Sequence, residues 1–207
     1  MRFRIRAGEA CSAAQTVPMT IPTFDQIETP RLLIRHLRDG DAPRLAAYRN
    51  DPATAQYQSW YSPYTEAQAL ALIRSMHGRQ PGQPGWFQFA AADRASDLLI
   101  GDLALRAFEV QHGELGFTFA PGVQGQGYAT EAASAVLDYA FGSLRLHRVV
   151  AGTDPRNHPS ARLLRRLGFR HEGRFLESYH SAEGWLDDDQ YALLAREWRR
   201  GAEGTDS

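Results

Sequence analysis

Apolar positions along the chain change their period several times, and each change marks a predicted element. Arg31-Leu-Leu-Ile-Arg-His-Leu37 is a compact apolar run between charged flanks and predicts a first strand. Over 39–50 the period lengthens, with Leu45, Ala46 and Tyr48 on a short helix that stops before Asp51-Pro52. A loop rich in Trp60, Tyr61, Pro63 and Tyr64 follows. Thr65 with Gln68 forms a capping box ahead of Ala69, Leu70, Leu72 and Ile73, so a second helix is expected to end near Gly78. Beyond a turn at 81–85 come three strands, 86–92, 98–107 and 114–119, joined closely enough for an antiparallel meander. Ala129, Ala132, Ala133, Val136, Leu137, Ala140 and Phe141 recur at helical spacing and predict a helix over 129–141. A strand at 147–152, a helix capped by Asn157 and closed by Gly168, and strands at 169–179 and 189–194 complete the pattern.

A meander followed by a strand–helix–strand crossover implies an α/β chain. Its sheet is mixed, mostly antiparallel and twisted, of about seven strands with helices on both faces. The 207 residues suit one domain, placed at 23–200 between an N-terminal arm, 1–22, and a tail, 201–207. Arg2, Arg4 and Arg6 look like the start of a targeting segment, but no apolar region follows them. A disordered arm is expected there, with Met19 as an alternative start.

Charge and composition exclude whole classes. A net charge of -1 creates no field to draw the chain to nucleic acid or an anionic membrane, and no apolar stretch is long enough to span one. All 23 basic residues are Arg. A chain without Lys forms no Schiff base with pyridoxal phosphate and lacks the phosphate-binding Lys of a P-loop. The single cysteine, Cys11, rules out an intrachain disulfide and fits a reducing cytoplasm. The 7 His lack ligand spacing, so no metal is expected.

The most specific local signal is Gln124-Gly-Gln-Gly-Tyr-Ala129, between a strand and the most periodic helix. Glycines let the backbone approach a ligand closely, and the helix start presents unpaired N–H groups with a partial positive charge. Together they suit a pyrophosphate. Gly-x-Gly alone reads as an ordinary turn. A dinucleotide fingerprint would need a third glycine where Thr130 stands, and would follow the first strand of the fold.

Gln124-x-x-Gly127-x-Ala129 resembles the Gln/Arg-x-x-Gly-x-Gly/Ala acetyl-CoA motif of the GNAT superfamily. The likeness extends over about 27–198. It takes in Glu28-Thr-Pro-Arg-Leu-Leu-Ile-Arg35, Gly127-Tyr-Ala-Thr-Glu-Ala132, Asn157-x-x-Ser160, Leu167-Gly-Phe169, and Trp185-x-Asp187 ahead of the last strand. This set resembles the branch of ribosomal-protein N-terminal acetyltransferases of the RimJ/RimL type.

The resemblance implies a GNAT fold and acetyl-CoA as co-substrate. Strand 114–119 would splay from strand 147–152, and pantetheine would pair with the backbone of Phe117, Thr118 and Phe119. The pyrophosphate would rest on Gln124, Gly125, Gln126, Gly127, Tyr128, Ala129 and Thr130. Glu114 is the candidate base and Ser160 the candidate proton donor to the leaving thiolate. Asn157 matches a residue that binds cofactor or water. An exposed strand-end carboxylate accounts for Glu114 equally well, and an N-cap accounts for Asn157. Where many relatives carry Tyr as the acid, this chain has Leu164.

Arg162, Arg165 and Arg166 suit a solvated helix face, or the ligand's adenosine phosphate. Asp187 to Asp189 suit a turn better than an ammonium site, and Trp60, Tyr61 and Tyr64 suit core lids better than an acceptor wall. The expected activity is direct transfer of acetyl to a primary amine, a protein N-terminus or a small molecule, by a monomer or homodimer in the cytoplasm. A non-catalytic acyl-CoA-binding module is the alternative. Cys11 makes a poor covalent relay.

Overall fold

The computed structural model describes residues 21–58, 60, 62–108, 111–181 and 184–198. Cys11, Met19, Tyr61 and the expected tail lie outside them. Eight strands form one sheet in the order β1-β2-β3-β4-β5-β6-β8-β7. These are β1 (Gln26–Glu28), β2 (Leu32–His36), β3 (Gly85–Asp93), β4 (Leu99–Ala107), β5 (His112–Phe119), β6 (Arg148–Thr153), β7 (Arg170–Ser181) and β8 (Gly184–Leu194). Among the described strands, β5 and β6 form the one parallel pair; the other neighbours run antiparallel. The helices are α1 (Ala42–Arg49), α2 (Pro52–Ala55), α3 (Glu66–Ser75), α4 (Tyr128–Asp138) and α5 (His158–Arg166).

The mixed sheet with helices on both faces is as the pattern requires, with several differences at its edges. The additional strand β1 pairs with Leu33–Arg35 of β2; Gln26 and Glu28 are exposed, so no apolar alternation announces it. A 3₁₀ turn, Asp39–Asp41, precedes α1 and takes the first residues expected of that helix. The expected loop after Asn50 begins with α2, started by Asp51 Oδ1 accepting from the Thr54 N–H at 2.9 Å and by Pro52 in the first turn. The last strand begins at Gly184, five residues before the expected 189, and pairs with β7 from Ser181↔Gly184 onward. Trp185 and Asp187 to Asp189 therefore lie within β8, not ahead of it or in a turn. A charged run reads as a turn, but β8 here is the penultimate strand of an open sheet with one face partly in solvent.

Alternation along the strands divides the interior in two. One face of the sheet packs Leu32, Ile34, Phe87, Phe89, Leu103, Leu105, Leu115, Val149 and Ala151 against Ala132, Ala133, Val136 and Leu137 of α4 and Leu164 of α5. On the other face Ala90 and Leu99 pack against Leu45 of α1 and Ala69 and Ile73 of α3. Beneath α1 the buried Asp102 carboxylate binds Tyr48, Gln88 and Arg49, so its charge is neutralised and its lone pairs are used.

Candidate active site

The parallel pairing of β5 with β6 runs from His112↔Arg148 to Glu114↔Val150 and ends there. Beyond it β5 stays on β4 as far as Phe119↔Gly101, while β6 stays on β8 as far as Thr153↔Asp189. The two strands therefore part after Glu114. Residues 115–119 of β5 keep one backbone edge free of a strand partner, which an extended amide chain can use.

At the open end lies a cavity of about 430 Å³. Phe117, Thr118, Phe119, Gln124, Gly125, Gly127, Ala129, Thr130, Asn157 and Ser160 all face it. Gly125 and Gly127 have φ of 75° and 85°, the left-handed region where a side chain is strained. Gly127 stands at the N-cap of α4, and no side chain caps that end. The free N–H groups of the first turn and the positive end of an 11-residue helix thus remain for an anion.

Gln124 turns back to donate from Nε2 to the Phe119 carbonyl at 2.8 Å, tying the turn to the end of β5. Gln126 and Tyr128 do not line the cavity. The Gln126 side chain donates to Gly122 O at 2.9 Å, and the Tyr128 ring lies under the Arg31 guanidinium at 4.2 Å. The turn is held from outside by Glu131. Its carboxylate accepts from Thr29 Oγ1 at 2.7 Å, from the Arg31 N–H at 2.8 Å and from Arg31 Nε at 2.6 Å. These bonds outweigh partial burial and hold the Glu131 carboxyl below the usual carboxylate range.

Asn157 caps α5 by accepting from the Ser160 N–H at 3.2 Å, which sets Ser160 on the cavity wall. Leu164 is buried in the core at 1% exposure, so the position where many relatives carry Tyr offers no proton here. Arg162 and Arg166, one helical turn apart, face the cavity. Arg165 turns away to Tyr191, with Nη2 at 3.3 Å from its hydroxyl.

Glu114 stands outside the cavity, at the last paired position before the strands part. Burial raises its carboxyl above the usual range, and Arg106, whose Nη1 comes only to 3.8 Å, opposes this in part.

The far wall of the cavity comes from Ala53, Thr54, Gln56, Tyr57 and Gln58, on and after α2. Sequence reasoning missed this wall, although Asp51-Pro52 with Thr54 carries a helix-start signal. Trp60 and Tyr64 belong elsewhere. Tyr64 is buried, and both rings stack with the Arg49 guanidinium, at 4.3 and 5.0 Å. They close the second core. Among the described residues no three His, Cys, Asp or Glu side chains gather as metal ligands, and no helix is long and apolar enough to cross a membrane.

The acetyltransferase (GNAT) domain family matches residues 31–170. The chain is 34% identical over 173 residues to YnaD, an uncharacterized N-acetyltransferase of Bacillus subtilis, covering 83% of this chain and 98% of that protein. It is 29% identical to the [ribosomal protein uS5]-alanine N-acetyltransferase of Escherichia coli, over 85% of this chain and 94% of the relative. The crystal structure of a GNAT-family acetyltransferase from Bacillus anthracis superposes with a TM-score of 0.73 at 30% identity, covering 83% of this chain and 99% of that one. With its parted strands, glycine turn and uncapped helix start, the chain belongs to the GNAT family and is one of its N-acetyltransferases.

Proposed function

We propose that the chain transfers acetyl directly from acetyl-CoA to a primary amine with both substrates bound at once. The observation that carries this is the parting of β5 and β6 immediately after Glu114, beside a cavity formed by the glycine turn and the start of α5. Acetyl-CoA supplies an activated thioester. The uncapped turns of α4, with Gly125 and Gly127, suit its pyrophosphate, and Arg162 and Arg166 suit a further phosphate. The free edge at Phe117 to Phe119 suits the pantetheine amides, and a backbone N–H there suits the carbonyl oxygen as it gains charge.

Glu114 takes a proton from the amine, directly or through water. A carboxylate raised by burial is a better base near neutrality than one at its ordinary pKa. Ser160 donates a hydrogen bond to the departing sulfur, and Asn157 positions Ser160. The acceptor is a protein N-terminal α-amine or a small amine; the uS5-alanine N-acetyltransferase among the relatives favours the former. A panel of N-terminal peptides and small amines, assayed for coenzyme A release, tests the reading. Acetyl-CoA binding without transfer to any of them would leave only a binding module.

A further inference from the structure

The sheet carries one carboxylate that none of these roles uses. Of the three consecutive Asp on β8, Asp187 accepts the Glu177 N–H at 2.9 Å and holds β7 where it bulges. Asp189 holds Arg174 at 2.8 Å and His171 at 3.2 Å. Asp188, between them, faces the other way, and among the described residues no Arg or His pairs with it.

Register places it. Glu114 lies opposite Val150, Val150 opposite Ala192, and Gly152 opposite Gln190. Residues directly opposite one another share a face, as do residues two apart along a strand, so Glu114, Gly152 and Asp188 face the same side. Helices α1 and α3 cover that side over β3 and β4. Farther along, Glu114, Val150, Gly152 and Asp188 all keep some exposure, Gly152 most. The Asp188 carboxylate lies over Gly152: a Cβ built there would meet Oδ2 at 2.9 Å and Oδ1 at 3.0 Å. Phe175, opposite Asp188 on β7, is 53% exposed and gives the patch an apolar margin.

We propose that Asp188 is a further catalytic residue of the acetyl transfer proposed above: with Glu114 it receives the acceptor as a primary ammonium on this uncovered face, and it accepts the ammonium's first proton. The inference rests on that reading. One proton passes from R–NH₃⁺ to the Asp188 carboxylate, leaving R–NH₂. The nitrogen lone pair forms the C–N bond to the acetyl carbonyl carbon as the C–S bond breaks. Glu114 takes the second nitrogen proton, and the thiolate gains one from solvent relayed through the Ser160 hydroxyl. Asp188 and Glu114 both return their protons to solvent, for a net release of one.

The charges around Asp188 agree with this role. Burial, then Asp189, Glu114 and Asp154, push its carboxyl up to about 6 against the opposing Thr153 N–H. Asp189 is neutralised by Arg174, and Asp154 by Arg156. Arg106 approaches Glu114 no closer than 3.8 Å. Arg106 thus offsets Glu114 in part, while Asp188 has no ion-pair partner among the described residues, a place an ammonium would fill.

The test compares wild type with Asp188→Asn and Asp188→Glu, reading kcat and KM for acceptor and acetyl-CoA from about pH 5 to 9. Asp188→Asn is expected to raise acceptor KM about tenfold or more, the scale of a lost charge-assisted hydrogen bond. It should leave acetyl-CoA KM unchanged and shift the acid limb of kcat/KM away from wild type, and Asp188→Glu should restore part of each. Wild-type acceptor KM and acid limb in Asp188→Asn would overturn this inference and leave acetyl transfer standing. So would an equal rise in acetyl-CoA KM that Glu does not rescue. A wild-type protein that binds acetyl-CoA but acetylates no amine would overturn both.

Discussion

Arg31 and Glu131 are 100 residues apart in sequence and meet at 2.6 Å, Nε to Oε2. Arg31 also donates from Nη1 to the Gln126 carbonyl at 2.9 Å and covers the Tyr128 ring. One side chain from the start of β2 thus grips the glycine turn from outside while the inner side stays open. This gives Thr29-Pro-Arg31 a physical role: it shapes the turn that the motif 124–129 only names. Glu131→Ala should weaken coenzyme A binding by about 1.5–3 kcal/mol, the range for hydrogen bonds to a charged group. Calorimetry with coenzyme A, beside thermal melts to confirm folding, checks this; unchanged affinity would separate the grip from the ligand.

The two glycines of the turn should respond differently to substitution. A Cβ on Gly125 meets nothing within 4 Å, so Gly125→Ala carries only the cost of its left-handed backbone, about 1–2 kcal/mol. A Cβ on Gly127 comes to 3.4 Å from Arg31 Nη2 and stands where the helix start faces the cavity. Gly127→Val adds β-branched strain and presses on the grip. Its loss of acetyl-CoA affinity should exceed that of Gly125→Ala, measured on variants with native circular dichroism.

These contacts show what could be read from the chain and what could not. The turn, the helix after it and the Asn157 cap are local, written in glycine positions and apolar spacing within a dozen residues, and they were legible. The grip of Arg31 on Glu131 and the wall formed by α2 depend on segments brought together only by the sheet. The order in which β8 inserts between β6 and β7 is likewise long-range, and nothing in the run Asp187 to Asp189 distinguishes a turn from an edge-facing strand. Pairing resolves it, by giving each Asp a different surrounding.

The β6–β8–β7 region should loosen in acid. Arg148, and then Arg170, donate to Glu172 and hold its carboxyl at about 2 instead of 4.5. A depressed carboxylate contributes stability that is fully present above its unfolded pKa and is lost as pH falls through the folded one. The contribution should therefore hold above about pH 4.5 and vanish toward pH 2. Solvent screens this surface pair, so Glu172→Gln should lower the melting temperature near pH 7 by at most about 3 °C. The gap from wild type should close as pH falls toward 2; a gap constant with pH would show that packing, not charge, is lost.

Ser160 lines the cavity and Glu114 does not, and this separates their expected effects. Ser160 faces the cavity, yet its N–H is already used by Asn157 Oδ1, so its hydroxyl is the group left to serve chemistry. Glu114 lies outside the cavity, at the last rung before β5 and β6 part. Glu114→Gln keeps the side chain's shape and removes its basicity. Acetyl-CoA affinity should stay within about threefold of wild type, while turnover falls by ~10²–10⁴-fold, the usual contribution of a general base. The defect should be greatest where the wild-type Glu114 is ionised and shrink only as falling pH protonates that carboxylate, since the second nitrogen proton must leave even when the amine arrives free. Because burial raises the Glu114 carboxyl, the wild-type rate should begin to fall on the acid side above the usual Glu range. Ser160→Ala should lower kcat with little pH dependence, since a hydroxyl does not titrate in this range. Pre-steady-state acetyl transfer across pH distinguishes the two patterns. Wild-type rates in both variants throughout would mean that backbone and positioning alone carry the reaction, and that neither side chain is part of it.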